Sequence, residues 1–389
     1  MEIPAAGPAR GALKRAVRIL SFCNSPLDES LGSGYVALGY ARGLRERGHR
    51  VDQFGPSDYE PFSRLRRGIS YRQALGMAAA SLRRVTGESY DVVEFWGGEA
   101  WLAFELLARK RRRRFLLVSH SNGLETHCAE TMRAAGRLVP VRPWYQLDQS
   151  SLFARSFKIP DALVTVAEFD RRFALDRGYK PPHRVLAVDN PLSADYLGVP
   201  VEFHRPPVIG FCGSWLPRKG VALIESVLPP LLRAFPEWRL TLVGVGDAFR
   251  PEDHFPADVL ARVEVVPYAE RGSRLRALYQ SFAIFVLPSI YESFGLTAAE
   301  AMACGAALVA TRVGFASSLR DREEALLLPE PDPEALRDAL ESLVQDEDQR
   351  QAIARAGYRR VQCLRWDSAI TAVEEAYLAW LAELRSACN

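Results

Sequence analysis

The stretch Ile284-Phe-Val-Leu-Pro-Ser-Ile-Tyr-Glu-Ser-Phe-Gly-Leu-Thr-Ala-Ala-Glu-Ala-Met-Ala-Cys-Gly305 contains a short aliphatic run, a loop with one glycine and an alanine-rich segment. The run Ile284–Leu287 is too short for a buried helix and predicts a strand, and the segment after Gly295 predicts a helix. A strand that turns directly into a helix is typical of α/β sheets, whose ligands bind outside the carboxyl ends of the strands. The stretch therefore predicts a fold class and the edge at which a site would lie.

The same alternation extends along the whole chain. Short aliphatic runs that predict strands recur at Arg18–Phe22, Arg50–Phe54, Asp91–Phe95, Phe115–Ser119, Ala162–Val166 and Val185–Val188, and again at Val208–Cys212, Arg239–Val243, Val263–Val266, Ala307–Val309 and Ala325–Leu328. Amphipathic stretches with helical spacing separate most of them. This order predicts parallel sheets that are covered by helices on both faces.

A proline-rich connection from 190 to 206 separates the two sets of strands. We therefore predict two doubly wound, Rossmann-like domains facing a central cleft, the first over residues 1–195 and the second over 207–365. Helical patterns without strands follow, and the last one has an apolar stripe. Residues 366–389 are therefore expected to form a C-terminal helix that packs back across the domain interface.

Composition excludes several classes of protein. The 389 residues are 48% hydrophobic and 25% charged, which fits neither a disordered chain nor a multispanning membrane protein. The six cysteines include no C-x-x-C pair, which argues against a disulfide framework and a zinc cluster and favours a reducing, cytoplasmic compartment.

Net charge is +3, but residues 1–195 carry +9 and the rest −6. That asymmetry indicates either an acidic partner for the first half or compositional scatter.

The decisive stretch also carries candidate ligand-binding groups. Gly295 permits close approach of the backbone, and the free N–H groups of Leu296 and Thr297 at a helix start suit an anion such as phosphate. Glu292 and Glu300 are carboxylates that can accept hydrogen bonds from neighbouring hydroxyls of a sugar or a ribose. The alternative is that both are solvated charges or helix caps.

A second cluster lies in Arg218-Lys219-Gly220, in the loop after the first strand of the second domain. Two cations and a helix N-terminus converge there, which suits a diphosphate and stabilises departing negative charge. A solvated basic loop is the alternative.

In the first half, His120 directly follows a predicted strand, where cleft residues belong. Gly32-Ser-Gly34-Tyr-Val-Ala37 fits a dinucleotide-binding fingerprint, but residues 24–31 separate it from the first strand, so we reject a dehydrogenase. Plain turn geometry is the alternative for Gly34, and a buried structural role is the alternative for His120. Trp96-Gly-Gly-Glu99 follows another strand and is a candidate acceptor contact, with a turn packed on the core as the alternative.

Six consecutive cations run from Arg109 to Arg114. They are either a solvated helix end or a peripheral contact with an anionic membrane, where each cation adds roughly 1 kcal/mol. Nucleic acid is not expected, because no aromatic-interleaved pattern accompanies the run.

The string from Pro288 to Gly305 resembles the signature of retaining glycosyltransferases of family 4, with its Glu-x7-Glu spacing. The resemblance covers the second domain densely and the first domain more thinly. It implies the GT-B fold, with a nucleotide-sugar donor bound mainly by the second domain and a hydroxyl acceptor mainly by the first. It further implies that Glu300 binds the ribose, that Glu292 and His120 contact the donor sugar, and that Arg218 and Lys219 contact the diphosphate. Gly34 would approach the donor phosphate or the acceptor. The residues implied to line the phosphates and the sugar are Phe294, Gly295, Leu296 and Thr297.

Three segments depart from the family pattern. Ser214 stands where an arginine usually follows Gly213, and the segments Asn190-Pro-Leu-Ser193 and Gly314-Phe-Ala-Ser-Ser318 differ from the usual loops. Either Arg218 substitutes for the missing arginine beside Lys219 or the diphosphate is held more weakly, and the donor's identity cannot be carried over.

The expected activity is therefore retaining transfer of a sugar from a nucleotide-diphosphate sugar to a hydroxyl acceptor, without cofactor or metal, since the basic loop fills the charge role of a divalent ion. The +9 charge of the first half favours an acidic or membrane-borne acceptor, and with it a contact at the inner face of a membrane. The alternatives are a GT-B sugar-nucleotide epimerase or sugar phosphorylase, and a non-catalytic protein with a nucleotide pocket that docks on a membrane.

Overall fold

The structure is a computed structural model that describes residues 16–61, 67–110, 113–136 and 149–388. Its described residues form two six-stranded sheets in which all strand pairs are parallel. The predicted α/β class with two Rossmann-like domains is confirmed.

The first sheet has the order β2-β1-β3-β4-β5-β6. Its strands are β1 (Arg18–Cys23), β2 (Arg50–Phe54), β3 (Val92–Trp96), β4 (Leu116–His120), β5 (Ala162–Thr165) and β6 (Val185–Ala187). β3, β4 and β5 are buried along their whole length, because helices cover both faces. The α-helices among the described residues of this half are α1 (Gly32–Glu46), α2 (Pro56–Tyr59), α3 (Ile69–Gly87), α4 (Trp101–Ala108), α5 (Glu125–Ala134), α6 (Gln149–Lys158) and α7 (Glu168–Asp176).

The second sheet has the order β12-β11-β10-β7-β8-β9. Its strands are β7 (Val208–Cys212), β8 (Arg239–Val243), β9 (Val263–Val266), β10 (Ile284–Leu287), β11 (Ala307–Thr311) and β12 (Leu326–Leu328). The helices of this half are α8 (Val221–Ala234), α9 (Ser273–Ser281), α10 (Leu296–Ala303), α11 (Pro333–Gln345) and α12 (Glu347–Val361). Both sheets have the strand order of doubly wound folds, in which the order reverses beside the first strand.

The last helix, α13 (Trp366–Cys388), lies against the first domain, although the second domain precedes it in the chain. Its residues Ile370, Val373 and Tyr377 share a core with α1, β1 and β3. Gly39 and Gly43 of α1 allow this approach, because a Cβ at these positions would lie 1.9 Å from the Trp366 ring and 2.6 Å from the Ile370 side chain. Helix α13 therefore connects the second domain to the core of the first.

A second hydrophobic cluster also joins the two halves. Val166 and Leu192 of the first half are buried in the same cluster as the second sheet. Segments at the carboxyl ends of β1 and β4 meet the loop after β10 between the two domains, where Gly32 approaches Leu296 and Gly123 approaches Ser293.

Candidate active site

The loop that joins β10 to α10 is held by the turn that precedes α8. The backbone N–H of Ile290 donates to the carbonyl of Arg218 at 2.8 Å. Gly220 has a positive φ of 69°, and a Cβ there would lie 1.8 Å from the carbonyl oxygen of Pro288. Only glycine fits at this position, because both the left-handed backbone and the close approach exclude a side chain. These contacts bring the predicted basic loop to the predicted acidic one.

Glu292 and Lys219 form a buried ion pair in this loop cluster. Lys219 Nζ lies 2.6 Å from Glu292 Oε1, and the Ser289 hydroxyl donates to the same oxygen at 2.8 Å. Arg218 is half-exposed, with its guanidinium 3.8 Å from that carboxylate. The structure thus brings together three of the residues predicted to be catalytic.

The N-terminus of α10 opens beside this pair. Gly295 adopts a positive φ of 92° before the helix, so the first N–H groups of Leu296 and Thr297 have no partners within the helix. The Thr297 hydroxyl is shielded from solvent and has no hydrogen-bond partner among the described residues. The ring of Phe294 is buried against Phe315, and its carbonyl accepts from the N–H of Phe315 at 2.8 Å. This arrangement offers N–H groups and positive charge to an anion.

Glu300 lies in the interior of α10 and is almost completely buried. Its carboxylate accepts from Arg271 at 2.6 Å and from the Tyr279 hydroxyl at 3.0 Å. Burial raises the pKa of Glu300, while the Arg271 charge acts in the opposite direction. Because a carboxylate has about four lone-pair directions, these two donors leave acceptor capacity for ribose hydroxyls. The ribose role of Glu300 stays a prediction.

Arg271 connects this carboxylate to the first domain. Its guanidinium lies 4.7 Å from the centre of the Tyr35 ring, on α1. A groove lined by Tyr35 and Ser30 of the first half and by Arg271, Gly272 and Tyr196 runs beside it. The sequence reasoning missed Arg271 and Tyr35; the one available signal was that Arg271 lies in a loop after a predicted strand, at the sheet edge where ligands bind.

His120 has a different setting from the one expected. It is the last residue of β4 instead of the first residue after it, and only 1% of it is exposed. Its ring stacks on Trp96 with centroids 3.6 Å apart, and Nδ1 lies 3.9 Å from Glu94, beyond hydrogen-bond distance. Burial lowers the pKa of His120, while Glu94 opposes the shift, so the imidazole is neutral near pH 7. Its predicted contact with the donor sugar stays a prediction.

The first turn of α1 approaches α10. A Cβ at Gly32 would lie 3.6 Å from the Leu296 side chain. Gly34 was predicted to lie in a loop but is the third residue of α1, and a Cβ there would lie 2.3 Å from the carbonyl oxygen of Asp28. The N-terminus of α1 reaches the predicted phosphate site, whereas Gly34 itself is required by the packing of α1 against the preceding loop.

A second acidic pair lies at the carboxyl edge of the first sheet. Asn24 donates to Glu99 at 2.8 Å, and the N–H of Gly98 donates to Glu125 at 2.9 Å. Burial and then the charge of Glu99 raise the pKa of Glu125 to about 8. The sequence reasoning singled out the Trp96 to Glu99 segment but not Glu125, which begins α5.

Three cations of the basic run from Arg109 to Arg114 have partners within the protein. Arg113 forms a bidentate pair with Asp161 at 2.7 and 2.8 Å, Arg109 lies 3.0 Å from Glu105, and Lys110 donates to the carbonyl of Val85. Residues 111 and 112 of the run lie outside the described residues.

The described residues contain no metal-binding cluster and no membrane-spanning helix. Within the described ranges, no group of three or more His, Cys, Asp or Glu is placed to hold a metal ion. No helix in the same ranges has the length and apolar character needed to cross a bilayer.

Comparison with known proteins agrees with this geometry. Residues 206–346 match the family described as "Glycosyl transferases group 1". The chain is 27% identical to a D-inositol 3-phosphate glycosyltransferase of Xylanimonas cellulosilytica over 93% of this chain and 96% of the relative. It is 30% identical to a phosphatidyl-myo-inositol mannosyltransferase of Mycobacterium leprae over 61% of each protein.

Solved structures show the same fold. Sucrose-phosphate synthase from Thermosynechococcus elongatus superposes with a TM-score of 0.73 at 18% identity, over 94% of this chain and 100% of that chain. Anabaena Alr3699/HepE in complex with UDP-glucose superposes with a TM-score of 0.65 at 15% identity, over 93% and 100%. The chain is thus a glycosyltransferase of the GT-B fold, and residues 206–346 of its second domain match the group 1 glycosyltransferases.

Proposed function

We propose that the protein is a retaining glycosyltransferase that moves a sugar from a nucleotide-diphosphate sugar to a hydroxyl group of an acceptor. The observation that carries the proposal is the meeting of Arg218, Lys219, Glu292 and the N-terminus of α10 at one edge of the cleft. Cations and helix N–H groups at one point suit a diphosphate, and the carboxylate beside them suits sugar hydroxyls.

In the proposed reaction, the bond between the anomeric carbon and the diphosphate breaks while the acceptor oxygen attacks on the same face. The departing phosphate takes the proton of the acceptor hydroxyl, so the protein needs no strong base. Lys219, Arg218 and the first N–H groups of α10 stabilise the negative charge that develops on the leaving diphosphate. Glu292 orients the sugar, and Glu300 with Arg271 holds the nucleoside end.

The proposed reaction uses no metal ion and no further cofactor. Two side-chain cations and a helix N-terminus supply positive charge where a divalent ion would otherwise act. We expect the rate of the protein as purified to be unchanged, within experimental error, when a chelator is added to the assay.

Inositol phosphates are the first acceptors to test, because the relatives above are named for inositol-containing substrates. An acidic acceptor also fits the +9 charge of residues 1–195. The carboxyl groups of Glu99 and Glu125 lie at the same sheet edge and can form hydrogen bonds with hydroxyl groups of an acceptor.

A peripheral contact of the cytoplasmic protein with the inner face of a membrane, through Arg109 to Arg114, is a separate part of the proposal. Fewer than six cations would be available to a membrane, because Arg113, Arg109 and Lys110 have partners within the protein. Co-sedimentation with vesicles of phosphatidylserine and phosphatidylcholine tests it. Binding that is lost when Arg111, Arg112 and Arg114 become alanine supports the contact, and binding unchanged in that variant contradicts it.

Thermal-shift measurements with UDP, GDP and ADP test the donor site first, since a ligand that binds the native state raises the midpoint by mass action. The preferred nucleotide is then supplied as its sugar conjugate with and without an acceptor. Nucleotide release that depends on acceptor, with an α-linked product from an α-linked donor, is the expected result. Epimerised donor, or cleavage that requires inorganic phosphate, would overturn the proposal in favour of an epimerase or a phosphorylase.

A further inference from the structure

A buried hydrogen bond connects the loop that carries Glu292 to the first domain. Tyr291 precedes Glu292, and its hydroxyl lies 3.0 Å from Asp170 Oδ1 and 3.2 Å from Asp170 Oδ2. Asp170 belongs to α7, on the other side of the interface. Asp170 is fully buried and Tyr291 is 4% exposed, so water does not compete for this contact.

Asp170 gathers donors from the segment that follows β4. His127 Nδ1 lies 2.7 Å from Asp170 Oδ1, and the backbone N–H of Leu124 donates to Oδ2 at 3.3 Å. Burial raises the pKa of Asp170, while His127 and Tyr291 act in the opposite direction. Burial also raises the pKa of Tyr291 well above its usual value, so its hydroxyl keeps the proton that it donates.

The two loops joined by this carboxylate also touch directly. Gly123, in the loop after β4, has a positive φ of 137°, and a Cβ there would lie 2.7 Å from the Ser293 Cβ. Tyr291 is fixed from its own side as well, because the neighbouring N–H of Ile290 bonds to the carbonyl of Arg218 at 2.8 Å. A change at Asp170 would therefore be transmitted to the segments that flank Glu292.

We propose that Asp170 is a positioning residue for glycosyl transfer: through Tyr291 it fixes the loop of Glu292 against the β4–α5 segment, and so sets the distance between donor and acceptor. The proposal rests on the proposed function, in which the first domain holds the acceptor. Nucleotide binding at Glu300 and Arg271 lies outside this network, so the two functions should separate.

Two variants and a matched control test the proposal. Tyr291→Phe removes the hydroxyl and keeps the ring, and Asp170→Asn removes the charge. Tyr179→Phe is the control, because Tyr179 is another buried tyrosine whose hydroxyl bonds to α5, at Thr126 Oγ1 over 3.0 Å, without reaching the second domain.

Hydrogen exchange of the full chain, followed by mass spectrometry, measures the coupling without any substrate. Tyr291→Phe and Asp170→Asn should both raise exchange at least threefold in the peptides that contain residues 121–128 and 288–295. Tyr179→Phe should raise it only in the first of these peptides. Exchange that rises in one peptide alone for both test variants would overturn the coupling.

Kinetics then test the consequence for transfer, with UDP-glucose as donor probe and D-inositol 3-phosphate as acceptor probe. Tyr291→Phe should lower kcat for transfer at least tenfold while hydrolysis of the donor by water and the Kd for UDP stay within twofold. A purely structural role would lower transfer and hydrolysis by the same factor, and that result would overturn the positioning role. Absence of transfer by the wild-type protein with any donor and acceptor would instead refute the proposed function, and the exchange experiment would still decide whether Asp170 couples the two loops.

Discussion

Replacing Lys219 with methionine removes the cation beside Glu292 and keeps most of the side-chain volume. In the native protein Nζ lies 2.6 Å from Glu292 Oε1, and the two side chains are 10% and 7% exposed. Removing one partner of a buried pair costs about 3–5 kcal/mol when nothing else compensates the remaining charge. Here Ser289 and Arg218 stay near the carboxylate. We therefore expect Lys219→Met to lose about 2–3 kcal/mol of unfolding free energy.

The same substitution should slow the reaction for a separate reason. If Lys219 stabilises charge on the leaving diphosphate, its removal should lower kcat at least tenfold, which corresponds to about 1.4 kcal/mol of barrier. Nucleotide release is measured at saturating donor and at a temperature where the variant is fully folded by circular dichroism. Lys219→Ala should show a similar or larger loss, and Lys219→Arg should recover part of the rate because it keeps the charge.

A matched control separates stability from catalysis. Arg72 and Glu60 form another buried pair, at 2.8 Å with side chains 10% and 9% exposed, outside the loops that meet at Glu292. Arg72→Met should lose a similar unfolding free energy and keep kcat within twofold. The reasoning about Lys219 is refuted if Lys219→Met also keeps kcat within twofold, or if Arg72→Met slows the reaction as much.

Three further predictions concern other parts of the site. Left-handed strain alone costs about 1–2 kcal/mol, and Gly220→Ala should destabilise the protein by well over this amount because its Cβ would meet the Pro288 carbonyl. Gly48→Ala, at a φ of 88° with no atom within 4 Å of its Cβ, should show only the strain. Urea melts measure both losses, and equal losses would contradict the close approach at Gly220. Glu300→Ala should raise the Kd of the preferred nucleoside diphosphate at least tenfold in calorimetry, about 1.4 kcal/mol, and Glu347→Ala, at an exposed site of the same domain, should leave it unchanged. Because the pKa of Glu125 is raised to about 8 in the folded protein, the native state binds more protons than the unfolded state between the usual glutamate pKa and that value, and wild-type stability falls in this window as pH rises. Glu125→Gln should remove up to about 1.4 kcal/mol of that fall per pH unit, and parallel pH–stability curves for the two proteins would contradict the shift.

The strands were largely predictable because their signal is local. Val208–Cys212, Arg239–Val243, Val263–Val266 and Ile284–Leu287 have the predicted bounds. β3 begins one residue later than predicted, because the carboxylate of Asp91 accepts the N–H of Arg18 at 3.0 Å and Asp91 lies outside the strand. In a sheet covered on both faces, alternation does not tell which side chains point to the cleft. This is why the sequence left open whether His120 faces the cleft or is buried, as it is against Trp96.

The contacts between distant parts of the chain were not predictable from the sequence. Tyr291 and Asp170 are separated by 121 positions, and neither lies in a pattern whose spacing relates it to the other. Arg271 reaches Tyr35 across the interface in the same way. Motifs in the sequence identified charged residues such as Glu292 and Lys219, because their type and spacing are recognisable without a structure. They did not identify residues whose function depends on a distant partner that only the fold brings near.

The opposite net charges of the two halves say less about the site than the local arrangement does. Residues 196–389 carry −6, yet Arg218, Lys219 and Arg271 converge on two buried carboxylates, Glu292 and Glu300. Exposed charges farther than about 8–10 Å are largely screened at physiological salt, whereas buried pairs are screened much less. In the proposed donor complex, Arg218, Lys219 and the N-terminus of α10 would therefore act on a diphosphate more strongly than the acidic surface around them. Binding of an anion by an acidic domain would depend on this separation between surface charge and the charges of the loops after β7 and β10.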